Sequence, residues 1–200
     1  MPMGAAHDQW RDISYLKCGN DRQRAAFRTL QQLEIIEVLR PYGVILAGTI
    51  PLEIDIPGSD LDLLCQPDDM DMFAELVRCR YGDHSAFRSK QQLWDTIPTV
   101  VAGFETETFP IEIFAQTLPI IEQRAYRHMI VEARLLEIGG PAARQAIRQL
   151  KLDGRKTEPA FAAYFRIPGD PYEQLFQLYD WDDRRLREAV DSRIWIIESV

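Results

Sequence analysis

The sequence predicts an α+β fold: a mixed sheet with flanking helices, followed by an all-helical C-terminal part. Three observations predict it. Short apolar and β-branched runs crowd the stretch from residue 44 to 116. Helical spacing of apolar residues appears before that stretch and once inside it. After Pro119 every apolar run has helical spacing and no alternating segment remains. The expected boundary divides residues 1–118, a core, from residues 119–200, a helical part packed on it.

In order along the chain, "DRQRAAFRTLQQLEIIEVLR" (21–40) places Phe27, Leu30, Leu33, Ile36 and Leu39 on one helical face, and Pro41 and Gly43 stop it. "VILAGT" and "DLDLLCQ" are strands. "DDMDMFAELVRCRYG" starts acidic and carries Met72, Phe73, Leu76 and Val77 at helical spacing. "AFRSKQQL", "TIPTVVAGFE" and "FPIEIFAQ" are three further strands, the last two a hairpin through "ETET". "IIEQRAYRHMIVEARLLEIG" is a long amphipathic helix closed by Gly139-Gly140. "PAARQAIRQLKLDG", "EPAFAAYFRI", "DPYEQLFQLY" and "DRRLREAVDSRI" complete the helices.

Composition narrows the function. Two hundred residues with 46% hydrophobic and 27% charged content suit a globular chain that needs no staples. The net charge of -8 argues against broad nucleic-acid binding, which rests on neutralising phosphates with Lys and Arg. Cys18, Cys65 and Cys79 show no CxxC spacing and read as free thiols. The histidines (His7, His84, His128) are too scattered for a zinc site. No apolar run reaches the ~20 residues of a membrane span. The start "MPMGAAHDQW" lacks the basic-then-apolar order of a signal peptide, so a cytoplasmic chain is expected. Trp94, Trp181 and Trp195 are expected in packing roles.

The chemistry concentrates in "ILAGTIPLEIDIPGSDLDLLCQ" (45–66). In a strand, Asp60 and Asp62 share a face, with Leu61 and Leu63 on the other. Two close like charges repel unless a cation lies between them, and magnesium takes hard oxygen ligands together with substrate phosphates. Alternation of buried and solvated residues would also give this pattern. Gly48 and Thr49 end the preceding strand: a glycine lets backbone approach a phosphate, and a threonine hydroxyl bonds its oxygens. Glu112, flanked by Ile111, Ile113 and Phe114, is a carboxylate on an apolar strand that needs a partner. Beside the DLD strand it would complete a three-carboxylate cluster; on an edge it would face water. Glu53 and Asp55 are spare acids that either join the site or face solvent.

Gly48-Thr49, then Asp60-Leu61-Asp62, then Glu112 inside a later strand, resembles the signature of the polymerase-beta-like nucleotidyltransferase superfamily over residues 44 to 115. "YLKCGNDRQ", "GTIPLEIDIPGSDLDLLC", "YRHMIVEARLL", "LKLDGRKTEPAFA" and "GDPYEQL" extend the resemblance, over nearly the full length, to one uncharacterised branch, a domain of unknown function. Thr49 stands where serine is more usual, Glu112 where aspartate is common, and "IPLEIDIPGS" where many relatives have a clean helix. The resemblance implies a nucleotidyltransferase-like sheet and transfer of a nucleoside monophosphate from a nucleoside triphosphate. The acceptor would be a small molecule or a protein side chain rather than nucleic acid. Asp60, Asp62 and Glu112 would be the catalytic, metal-holding residues for Mg2+ (or Mn2+), and Gly48, Thr49 and Ser59 would hold the triphosphate. A nucleotide-binding protein of the same fold without turnover, a sensor or partner subunit, is the alternative.

"LKLDGRKTEPAF" is the second dense stretch. Arg144, Arg148, Lys151 and Arg155 recur at spacings that make one basic helical face if the helix runs that far, although Gly154 favours a stop. Thr157 is the expected cap of a new helix, with Lys156 beside it as an anion contact. For these two to meet a phosphate of the bound nucleotide or acceptor, the helical part must fold back over the open end of the sheet. Arg127 and His128 read as a helix-surface pair.

Overall fold

The structure is a computed structural model and describes residues 10–196; the reading of the first nine residues lies outside them. Five strands form one sheet: β1 Ile45–Ala47, β2 Leu61–Cys65, β3 Arg88–Trp94, β4 Ile97–Glu105 and β5 Pro110–Gln116. Their order is β1-β2-β5-β4-β3. Only the β2–β5 pair is parallel; the others are antiparallel. The expected hairpin is the β4–β5 pair.

Helices α1 Asp21–Gln32, α2 Ile35–Leu39 and α3 Met70–Tyr81 cover one face of this sheet. Asn20 and Gln23 form a capping box that starts α1, and Asp69 caps α3 by accepting from the Met72 amide. The single helix expected over residues 21–40 is two, because Glu34 takes left-handed backbone at φ 51°. That turn lets Ile35 and Leu39 both reach the core, which offsets the ~1 kcal/mol of a left-handed residue. Alternation supplies the sheet's half of the core: Leu61, Leu63 and Cys65 from β2, Ile111, Ile113 and Ala115 from β5, and Val100, Ala102 and Phe104 from β4. The Phe73, Val77 and Tyr81 face of α3 packs into the same core, and Tyr81 stacks on Phe104 at 5.2 Å.

The chain divides into two compact units, whose described parts are residues 10–51 with Pro57–Gln123 and Leu52–Ile56 with residues 124–196. The second unit holds α4 Arg124–Leu152, α5 Thr157–Phe165, α6 Pro171–Leu178 and α7 Asp183–Ser192. Gly140 (φ 64°, ψ -161°) breaks α4, and Pro141 follows where a new first turn tolerates it. Asp170 caps α6 through the Tyr172 and Glu173 amides, and Asp182 caps α7. Trp181 stacks on Trp195 at 6.2 Å as a packing pair. Trp94, on edge strand β3, packs edge-on against Phe114 at 6.0 Å while remaining 49% exposed. Among the described residues no helix is long and apolar enough to cross a membrane, and all three cysteines are unpaired.

Candidate functional site

The strand register fixes the site. Across the sheet, the Cα partners form one row: Ala47, Asp62, Glu112, Gly103 and Arg88. Asp62 and Glu112 are direct neighbours in the parallel pair, and both are turned away from the helix-covered core. Asp60 precedes β2 by one residue and its charge reaches Glu112. Glu112 holds its proton more tightly than an ordinary glutamate: burial is the first cause and the Asp60 charge the second, while the Arg88 guanidinium opposes both.

Gly48 carries positive φ (79°), and a Cβ there would collide with Oδ2 of Asp62. Only a glycine lets the backbone after β1 come so close to that carboxylate while in this conformation. Thr49 Oγ1 lies 3.5 Å from Ser59 Oγ, which draws the turn after β1 to the loop before β2. Arg22 on α1 secures that loop. Its guanidinium covers the Phe109 ring at 3.8 Å and donates to the Ser59 and Thr108 carbonyls, each at 3.4 Å. It thereby ties the approach to Asp60 to the turn that leads into β5.

Gly48, Thr49, Ser59, Asp60, Asp62 and Glu112 thus gather in one unit. Among the described residues, however, no three His, Cys, Asp or Glu side chains are gathered as a metal-binding group. What the donors do fit is a hard divalent cation held by one or two carboxylates, with its other ligands from phosphate and water. Asp62 and Glu112 face one way in adjacent strands, and the Asp60 charge adds to the negative field at Glu112.

The other candidates have different surroundings. Lys156 and Thr157 lie in the second unit, at the start of α5. The cap position is Lys156, with no side-chain capping bond, and Thr157 is the first helical residue, one position later than expected. Asp55 belongs to the second unit and is buried; its carbonyl accepts from Arg148 Nε at 3.0 Å. Glu53 is exposed. The basic face expected over Arg144 to Arg155 is not one solvated stripe, because α4 stops at Leu152 and Lys151 is buried. His128 is buried rather than on the surface: Nδ1 lies 3.2 Å from Glu158 Oε1 and Nε2 lies 2.9 Å from the Tyr172 carbonyl. Fully buried Glu132 holds its proton well above the usual carboxylate range. Burial is the main cause, Glu158 adds to it and Lys151 opposes it.

Sequence reasoning missed Arg22 and Arg88. For Arg88 a signal existed in Gly103, since a glycine inside a strand marks a close approach by another group. A Cβ on Gly103 would lie 2.8 Å from the Arg88 guanidinium.

A family model described as a domain of unknown function (DUF4269) matches residues 28–178. No curated protein matches the chain. Among solved structures, the GLD-2/RNP-8 complex superposes with a TM-score of 0.52 at 14% identity, over 83% of this chain and 70% of that one. The Cid1 poly(U) polymerase with MgGTP bound gives 0.49 at 14% identity, over 88% of this chain and 54% of that one. A cytoplasmic RNA terminal U-transferase gives 0.44 at 17% identity, over 65% of this chain and 39% of that one. This chain therefore spans about half the length of the last two, or less. At these identities the likeness is one of fold: the α+β, nucleotidyltransferase-like sheet expected from the sequence is the one observed.

Proposed function

Since the chain belongs to the DUF4269 family, a domain of unknown function, we propose from its own geometry that it is a nucleotidyltransferase. It moves a nucleoside monophosphate from a nucleoside triphosphate to a hydroxyl-bearing acceptor. The observation that carries this is the Asp62–Glu112 pair, side by side in parallel register, with the Gly48 backbone pressed against Asp62. A glycine turn beside paired carboxylates suits a triphosphate whose charge is shared with a cation.

Gly48, Thr49 and Ser59 bind the phosphates through backbone and hydroxyl groups. Asp60, Asp62 and Glu112 are the residues that would hold Mg2+, or Mn2+ in its place. When bound, the ion supplies neutralisation of the leaving pyrophosphate and a lower pKa for the attacking hydroxyl. The acceptor oxygen forms a bond to the α-phosphorus as the bond from that phosphorus to the bridging oxygen breaks. Pyrophosphate leaves with the bridging oxygen, and Glu112 takes the hydroxyl proton.

The test is calorimetric titration of the full chain with ATP, GTP, CTP and UTP, with and without Mg2+. Transfer from α-labelled triphosphates to cell extract follows. Mg2+-dependent binding and labelling, both lost in Asp62→Asn, are expected. Binding without labelling favours the sensor or partner subunit. No Mg2+-dependent binding overturns the reading. The net charge of the whole chain does not exclude a polynucleotide acceptor, because the sheet beside Glu112 carries Arg88 and Lys90.

A further inference from the structure

On the side of Glu112 away from Gly48, the sheet carries a cation that the reaction above does not use. Strands stand about 4.8 Å apart, so the Arg88 backbone lies roughly 10 Å from that of Glu112, two strands over. Gly103 is the residue between them and offers no side chain. The Arg88 guanidinium fills that gap, with Cζ and Nη2 each 2.8 Å from where a Cβ of Gly103 would stand. Its field reaches Glu112.

Cations on an edge strand commonly serve to discourage pairing with other chains, and such side chains extend into solvent. Arg88, although exposed, lays its guanidinium over Gly103 along the row of carboxylates. Among the described residues it makes no hydrogen bond or ion pair, so its five N–H donors remain available. Lys90, exposed and two residues on, shares its face of β3. The triphosphate turn lies on the β1 side of the carboxylates, and Arg88 lies on the β3 side. In-line displacement needs the attacking and leaving oxygens on opposite sides of the phosphorus. The β3 side is therefore where an acceptor enters. An arginine fork with a lysine beside it matches a dianionic phosphate in both geometry and charge.

We propose that Arg88, with Lys90, binds a phosphate group on the acceptor, so that the hydroxyl compound receiving the nucleotide is itself phosphorylated. This rests on the nucleotidyltransferase reading above.

The experiment uses the 15N-labelled full chain, preloaded with Mg2+ and a non-transferable α,β-methylene triphosphate, and follows the arginine Nε–Hε and β3 amide signals. The probes are glycerol, glycerol 3-phosphate and the dinucleotide ApA. Glycerol 3-phosphate is expected to shift Arg88 and β3 signals, glycerol is expected to leave them unmoved, and Arg88→Ala should weaken the effect by at least about tenfold. Shifts from ApA alone keep the phosphate and assign it to an oligonucleotide end. No shift from either phosphate, or shifts that survive Arg88→Ala, overturn the proposal. Arg88→Lys and an intact amide spectrum guard against misfolding. Affinity for the Mg2+–triphosphate analogue should not fall in Arg88→Ala; a loss of about tenfold or more would overturn the assignment to the acceptor side. If the analogue fails to bind wild type, the nucleotidyltransferase reading fails, and the phosphate titration is still read without preloading.

Discussion

Asp62 and Glu112 are Cα partners in the parallel β2–β5 pair, and both point away from the helix-covered core. The ladder holds the two backbones side by side and so sets both carboxylates on one face of the sheet, beside the Gly48 turn.

Replacing Asp62 by asparagine keeps the shape and removes a charge. Mg2+-dependent triphosphate binding should weaken and transfer should cease. The melting temperature of the metal-free protein should change little, because asparagine keeps the size and shape of the side chain. Calorimetry and thermal melts read the two effects separately; undiminished transfer would contradict the assigned role.

Gly48→Ala should cost ~1–3 kcal/mol, from left-handed backbone strain together with the collision against Asp62. Gly58 has similar positive φ (87°) and open space around it, so Gly58→Ala should cost only ~1 kcal/mol. Chemical denaturation of the two variants, with triphosphate titration of each, isolates the collision: only Gly48→Ala should lose binding sharply.

Arg22→Ala removes a ring contact and two carbonyl bonds that join the Asp60 approach to the β4–β5 turn. A loss of about 1–2 kcal/mol is expected. Triphosphate affinity should fall with it, although Arg22 touches no substrate in the proposed mechanism. Arg22→Lys should recover little, because a lysine cannot span two carbonyls from one planar group.

Glu132 supplies a pH dependence. Its folded-state proton affinity is raised, chiefly by burial. Its stabilisation is therefore fully present below the unfolded pKa and is lost as pH rises through the folded value. The melting temperature should decline from about pH 4.5 upward on this account. Glu132→Gln, neutral at every pH, should flatten the decline and melt above wild type in mildly alkaline buffer. An unchanged slope would mean that Glu132 is not the group responsible.

The sheet was legible because two-residue alternation survives in β2 and β5, where Leu61, Leu63, Ile111 and Ile113 reach the core and the acids between them do not. The carboxylates were legible for the same reason. Arg88 was not, because its nearness to Glu112 depends on the register of two strand pairs and on what Gly103 lacks. The break at Glu34 left no mark either: no glycine or proline stands there, and tertiary burial of Ile35 and Leu39 overrode the local preference. His128 misled because a polar residue on an amphipathic pattern reads as exposed, whereas Glu158 and the Tyr172 carbonyl satisfy it inside. The cap of α5 was misplaced by one residue because Thr157 is the better capping type, yet the backbone of Lys156 takes the extended conformation that a cap requires.

The parallel pairing of β2 with β5 also orders events during synthesis. Asp62 and Glu112 are roughly 50 residues apart in the chain, and β3, β4 and β5 follow one another as an antiparallel meander. Local pairings close cheaply, while the distant one must wait for a long loop to shut. The meander can form by itself and then receive β2 as its last neighbour. A nascent chain would thus carry its two acids apart, in separate environments, until that final strand docks. The carboxylate pair of the mature protein would come together only at the closing step.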